Sequence, residues 1–480
     1  MRKIQPTSFI LLLLLLLLTA SVYAEPYKRA PEVLPGSDPQ WRDPAFWIAR
    51  MERPDEVLLS VASIQQMNDD YRKKIRMPEP FKGFPKERTP DLYHWWPGYV
   101  LFAPDLQNMP SGKVAEIVRE RINIQIKYLR SSPYGNVSAI EYSDADIDAF
   151  EHEMALDQVR NDIEVRTGIA VKTTLIRNIP SFSPMEIGLP NIGETRFDMF
   201  NVCLLKIGKP VTILHPSRSG EYVLVLSEDA YGWVRSEDVA FGNKEAIDRF
   251  VNPDRFVVCT GDRVMLYSDE TCTYASGWFG MGDRLPRANS NNPRHVKIPI
   301  RMTNGQLIYE TAWLAENANV HEGWLPYTRR NIVEIAFGLM DNPYDFTGGY
   351  FGRNHETTYR DIFACFGFEL PFHGALFTHF GSNIHNEDVA FPDTKNKNRE
   401  QFKVILVHEP FVSIHSAGGH AQLLLGERDG VPVVFDHHGY EYKTEDGTVY
   451  KVRRTCVGEM TNPGTTGYML RRPLTSLELK

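Results

Sequence analysis

Histidine is the side chain whose charge changes near neutral pH. Nine of this chain's 14 histidines fall after residue 350: His355, His373, His379, His385, His408, His415, His420, His437 and His438. Three local groups are chemically dense. Arg353-Asn354-His355-Glu356 precedes Arg360-Asp361, Gly418-Gly419-His420 opens an apolar run, and Asp436-His437-His438 closes another. Imidazoles beside carboxylates serve general acid–base catalysis and nucleophile activation. Thr357, Thr358 and Cys365 add hydroxyls and a thiol on the same segment. Cys365 stands ten residues beyond His355, about 15 Å along a helix. Its neighbours Phe363, Ala364 and Phe366 predict a buried, inert thiol.

The elements that hold these groups read as helix first, sheet after. Residues 328–340 form an amphipathic stretch with Ile332, Ile335, Ala336 and Leu339 on one side. A second helix is predicted from His355, and a polar, Asn/Lys-rich loop follows at 386–400. Strands are then predicted at 404–411, 418–427, 431–440 and 451–460.

Upstream, 194–240 carries short strands punctuated by Lys209-Pro210, Ser219-Gly220 and Tyr231-Gly232-Trp233. Residues 255–326 repeat that rhythm, and Gly323-Trp324-Leu325 falls where Gly232-Trp233-Val234 does. This is the pattern of two small, partly open β-barrels. Three helices are predicted before them, as one small N-terminal unit. The first is capped by Ser63 with Gln66, carries Ile64, Met67, Tyr71 and Ile75 on one face, and ends at Pro78. Ser111 opens the second, with Val114, Ile117 and Val118, and Ser143 the third, with Ile147, Phe150 and Met154.

The first 24 residues read as a secretory leader: Arg2 and Lys3, an apolar run with eight consecutive leucines, then Val22 and Ala24 at a cleavage site. No membrane span is predicted in the mature chain, and the expected location is secreted, within the periplasm. A net charge of −8 gives no basic footprint for nucleic acid. Five cysteines leave at least one thiol unpaired within the chain. Cys259 and Cys272 are close enough in sequence to pair, whereas Cys203, Cys365 and Cys456 have no evident partner.

Residues 43–60, 194–240, 323–353, 360–371 and 418–427, in that order and spacing, resemble a secreted NlpC-type murein endopeptidase. Such proteins have an N-terminal helical segment and two bacterial Src-homology-3 domains. The resemblance implies an α+β multidomain chain: a helical segment at 25–190, barrels at 191–252 and 253–327, and a papain-like domain at 328–480. Such enzymes cut the γ-D-glutamyl to diamino-acid bond of peptidoglycan stem peptides with a Cys, a His and a third polar residue. Their nucleophile sits at a helix start, where the dipole and free N–H groups favour a thiolate.

That helix start reads Arg-Asp-Cys-Ser in the family and Arg353-Asn354-His355-Glu356 here. His355 therefore stands at the nucleophile position and His420 at the family's histidine. For the third position an ungapped count gives Phe435, a one-residue shift Asp436 and a longer one His437. Tyr344, Asn354 and Glu356 line the implied cleft. The first barrel would roof it, with Glu221, Tyr222, Tyr231 and Trp233 as candidate contacts. The implied partners are a peptidoglycan stem peptide and a cell-wall enzyme.

With the thiol replaced, the chain reads as a non-catalytic binder or regulator. The alternative is a hydrolase that uses a metal or another nucleophile. If His355 and His420 face each other, Asp436 or His437 could complete a zinc-type ligand set, with Glu356 as base beside a bound water. No His-Glu-x-x-His spacing is present, and neither a metal nor a cofactor is predicted.

Overall fold

In the computed structural model of the chain, the described residues are 28–75, 105–131, 142–184, 186–188, 196–288, 292–346, 348–372, 377, 380, 384–387, 402, 405–417, 420–439, 441–443, 448–460 and 474–479. The leader, Pro78 and most of the 386–400 loop lie outside them. Among the described residues no helix is long and apolar enough to cross a membrane.

Short polar side chains start the helices. Asp43 caps α1 (Pro44–Ile48) by accepting from Ala45 N, with proline at the first position, where no N–H is needed. Helix α2 (Val61–Ile75) begins before the expected Ser63. Ser60 is the cap: its hydroxyl accepts from Ser63 N at 3.1 Å, and its carbonyl accepts from Ile64 N at 3.0 Å. Helix α3 spans Ser111–Ser131, and α4 (Asp144–Glu153) starts at a Ser143–Asp146 capping box.

These N-terminal helices divide between two cores. Ile64 and Tyr71, with Trp41 and Trp47, join the core of the C-terminal part. Val114, Val118, Ile122 and Met154 share a core with Leu224, Tyr231 and Trp233 of the first barrel. Isolated short helices are marginal, so each apolar stripe is covered by the sheet beside it.

The first barrel is one seven-stranded sheet. Its strands are β1 (Arg166–Ala170), β2 (Thr174–Arg177), β3 (Asn201–Leu205), β4 (Pro210–Pro216), β5 (Tyr222–Leu226), β6 (Tyr231–Arg235) and β7 (Val239–Phe241). They lie in the order β7-β1-β4-β5-β6-β2-β3. The sheet thus recruits 166–177, upstream of the expected boundary at 191. Gly232 is needed at the β6–β2 crossing, where a Cβ would sit 2.4 Å from Ile176 and 2.6 Å from the Arg177 carbonyl.

Helix α5 (Lys244–Val251), capped by Asn243, leads to the second barrel and buries Ile247 and Phe250 in its core. That barrel comprises β8 (Phe256–Cys259), β9 (Arg263–Tyr267), β10 (Ala275–Gly280), β11 (Arg284–Pro286), β12 (His295–Arg301), β13 (Leu307–Trp313) and β14 (Val320–Glu322). It forms two sheets, β11-β8-β14 and β10-β9-β13-β12. Cys259 and Cys272 do not pair, and all five cysteines are free thiols. Cys259 is buried beside the Gly261 carbonyl, while Cys272 lies 3.0 Å from the Arg294 guanidinium.

The C-terminal part sets α6 (Arg329–Phe337, capped by Thr328) and α7 (His355–Ala364) against a six-stranded antiparallel sheet. Its strands are β15 (Ile384–Glu387), β16 (Ser413–Ala417), β17 (His420–Arg428), β18 (Val431–His438), β19 (Arg454–Glu459) and β20 (Leu474–Glu478), in the order β15-β20-β16-β17-β18-β19. Among the described residues 405–411, the strand expected at 404–411 does not form. Residues 402 and 405–406 are helical, and the strand falls at 413–417 instead. Phe402 and Ile405 pack with Leu424, Val434 and Met460, so tertiary burial overrides local β preference there. On the other face Ala421, Leu423, Val433 and Phe435 meet Ile332 and Ala336 of α6 and Tyr359, Ile362 and Phe363 of α7.

Candidate functional site

The site lies where the first turn of α7 meets the start of β17. Asn354 caps α7: its side-chain oxygen accepts from Glu356 N at 3.0 Å and Thr357 N at 2.9 Å, while its amide donates to the Phe346 carbonyl at 3.2 Å. Both ends of the Asn354 amide are thus used within the fold. Glu356 is buried in the first turn, where the helix dipole favours a carboxylate.

His355 is the first residue of α7 and only 3% exposed. Its Nδ1 lies 3.3 Å from the Tyr344 hydroxyl, and the two rings are near-parallel, 5.9 Å apart. Tyr344 is fixed by its N–H to the Arg453 carbonyl and by close approach to Gly439, where a Cβ would fall 2.5 Å from the phenol ring. On its other side, the His355 ring lies 4.7 Å from that of His420.

His420, fully buried, directs Nε2 at both Asp436 oxygens, at 3.1 and 3.2 Å. Gln422 Nε2 donates to Asp436 Oδ2 at 2.8 Å, and His438 Nδ1 lies 3.1 Å from the same oxygen. Burial pushes the Asp436 carboxyl up, but His420 and His438 outweigh burial and hold it well below the usual range. It is therefore a carboxylate, and the two imidazoles are the donors to it. Asp436 is the residue that meets His420. Phe435 and His437 turn to the opposite face, as strand alternation requires: Phe435 enters the helix-facing core.

His437 bonds instead to the Thr358 hydroxyl and sets its ring edge-on to Tyr344. Burial, with the charge of Arg353 adding, pushes its pKa down to about 3, so it is neutral. Thr358 is fully buried and also lies 2.8 Å from the Asn354 carbonyl.

A buried ionic network anchors the site to both barrels. Arg353 pairs with Asp361, at 2.6 Å, and with Asp262 of the second barrel. Lys206 of the first barrel reaches Asp361 at 2.6 Å and Asp283 at 3.2 Å. Burial raises the Asp361 carboxyl, but Lys206 and Arg353 overcome that and lower it. Gly282 seats the second barrel on α7, since a Cβ there would lie 2.5 Å from that of Ala364.

Between the barrels and α7 lies a cavity of about 130 Å³, lined among others by Lys206, Glu228, Trp278, Phe346, Asn354 and Arg360. The expected barrel contacts are placed elsewhere. Tyr231 and Trp233 are buried beneath α3, where Trp233 Nε1 donates to Gln125 at 3.0 Å. Tyr222 shares that core, and Glu221 is exposed at the β4–β5 turn. None of the four lines the cavity. Aromatic side chains in a small barrel serve its core first.

Sequence reading missed His438, Gln422 and the Arg353–Asp361–Lys206 network. The two-residue spacing of Asp436 and His438, and of His420 and Gln422, was the available signal: such pairs share a strand face.

A family model described as an SH3 domain of the SH3b1 type matches residues 191–235. No curated protein matches the sequence. Among solved structures, an NlpC/P60 endopeptidase from Photobacterium damselae subsp. piscicida superposes with a TM-score of 0.67 at 16% identity, covering 94% of this chain and 98% of that one. An NlpC/P60 family protein from Bacillus cereus gives a TM-score of 0.41 at 15% identity, covering 64% of this chain and 98% of its own. The chain therefore has the fold of that Photobacterium NlpC/P60 endopeptidase, with an SH3 domain of the SH3b1 type in its first barrel.

Proposed function

We propose that this protein binds peptidoglycan stem peptides outside the cytoplasm without cleaving them, as a receptor or as a regulator of a cell-wall enzyme. One observation carries the reading. The first residue of α7, where such a fold places its thiolate, is His355, buried and held between Tyr344 and His420. That chemistry runs through a thiolate, and this position holds none.

Cys365, Cys203 and Thr358 are poorly placed to act instead. Cys365 lies at the far end of α7, with burial pushing its thiol up to about 12. Cys203 lines the cavity, but burial, with Asp229 adding, pushes its thiol well up. Thr358 is fully buried against His437.

The test is to mix the purified protein with an L-Ala-γ-D-Glu-diaminopimelate peptide, follow binding calorimetrically, and follow cleavage chromatographically with zinc and with a chelator. Saturable binding without product is expected. Cleavage by the unmodified protein overturns the reading, and cleavage abolished by the chelator would establish the metal-dependent hydrolase instead.

A further inference from the structure

We propose that His420, Asp436 and His438 form a binding site for a divalent ion of the zinc type. These are the residues whose nitrogen and carboxylate donors converge among the described residues: their ligand atoms all lie within 4.8 Å of one another. Two imidazoles and a carboxylate are a zinc ligand set that leaves a coordination position open. This inference does not depend on what the cleft binds.

The strands build the site directly. Gln422 pairs with Asp436 across β17 and β18, and continuing that register sets His420 opposite His438. Asp436 and His438 are two apart and share a face, so Asp436 lies diagonal to His420 on that same face. The two imidazole rings are 6.1 Å apart at 85°, an arrangement that lets both nitrogens converge on one point. His420 Nε2 to Asp436 Oδ1 and His438 Nδ1 to Asp436 Oδ2 are each 3.1 Å. Donors on one tetrahedral zinc, at the usual bond lengths, lie about 3.3 Å apart. The ion would thus replace two N–H···O contacts, each ring presenting to it the nitrogen that now faces Asp436.

A support for the ligating carboxylate is also in place. Gln422 Nε2 donates to Asp436 at 2.8 Å, as outer-shell partners of metal-bound carboxylates do. All three ligands sit on paired strands rather than on a loop, which fixes their spacing.

The test uses the tag-free mature chain, stripped with a chelator and titrated with Zn²⁺ by calorimetry and with Co²⁺ by visible absorption. One ion per chain is expected, with the Co²⁺ d–d bands of a nitrogen and oxygen site and no thiolate charge-transfer band. His438→Gln and Asp436→Asn should each weaken Zn²⁺ binding at least about 10-fold, and Gln422→Leu, which removes no ligand, by about 10–100-fold. If a ligand variant fails to fold, Gln422→Leu carries the comparison. Absence of saturable binding by the unmodified chain, or unchanged affinity in the folded variants, overturns the proposal and leaves the two histidines as donors to a buried carboxylate only.

Discussion

The rings of His355 and His420 face each other at 4.7 Å, with their planes at 47°. One ring begins helix α7 and the other begins strand β17, so the contact marks where helix and sheet converge. A buried ion-pair network and one close glycine contact hold that convergence.

The first holding group is Asp361, which accepts from Arg353 and Lys206, both at 2.6 Å. Replacing it with asparagine leaves Asp262 as the remaining carboxylate partner of Arg353 and Asp283 as that of Lys206. Removing one partner of a buried ion pair costs about 3–5 kcal/mol. Asp361→Asn should therefore lower the unfolding free energy measured in urea by up to about 3–5 kcal/mol. A loss under 1 kcal/mol would show that the network contributes little to stability.

Gly439 is the second. A methyl group there would fall 2.5 Å from Cζ of Tyr344, with ring carbons on either side at 2.6 and 2.9 Å. Tyr344 must then move, and the stack on His355 opens. Overpacking of this kind costs about 1–3 kcal/mol. Gly439→Ala should show that loss on thermal or urea unfolding, together with weaker stem-peptide binding. Full stability with unchanged binding would mean that the ring relaxes without consequence.

Much of this was legible in the residues. The apolar stripe of α6 announced its helix, and Gly418-Gly419-His420 announced a strand leaving a site. Position alone nominated His355, and the structure sets it against His420. What could not be read was anything decided by partners far away in sequence. The α2 stripe gave no hint that Tyr71 packs in the C-terminal core, against Phe380. Tyr231 and Trp233 looked like cleft residues because the helix that covers them lies about 100 residues upstream. The choice of Asp436 over Phe435 and His437 depends on which face of β18 meets the core, and a single polar run does not state that.

Acid sensitivity should come in part from His415. It is fully buried on β16, and burial, with His408 adding, lowers its pKa to about 3. In the unfolded chain the same ring titrates near 6.5. Below that pH the unfolded state takes up a proton that the native state refuses. The contribution to stability is thus complete above about pH 6.5 and lost progressively as pH falls towards 3. The slope is at most about 1.4 kcal/mol per pH unit from this one group. His415→Leu should flatten the fall between pH 6.5 and 4 relative to the unmodified chain in urea titrations. Parallel curves for the two proteins would rule His415 out as the source.

The sharpest expectation concerns His355→Cys. A thiol at the first position of α7 would meet the positive end of the helix dipole, which favours a thiolate. Across the cleft His420 keeps Nε2 on Asp436, so in its neutral form the ring retains a lone pair on Nδ1 for the thiol proton. Asp436 orients that ring, as the third member of such a site does. The variant's thiol should alkylate with an apparent pKa below the ordinary value of about 8.5, and the variant should release product from the stem peptide. Adding Asp436→Ala should remove product release, because the ring loses its orienting group. A depressed thiol pKa without cleavage would show a helix start still suited to a thiolate in a cleft shaped for another ligand. An ordinary pKa would show that burial, not the dipole, governs this position.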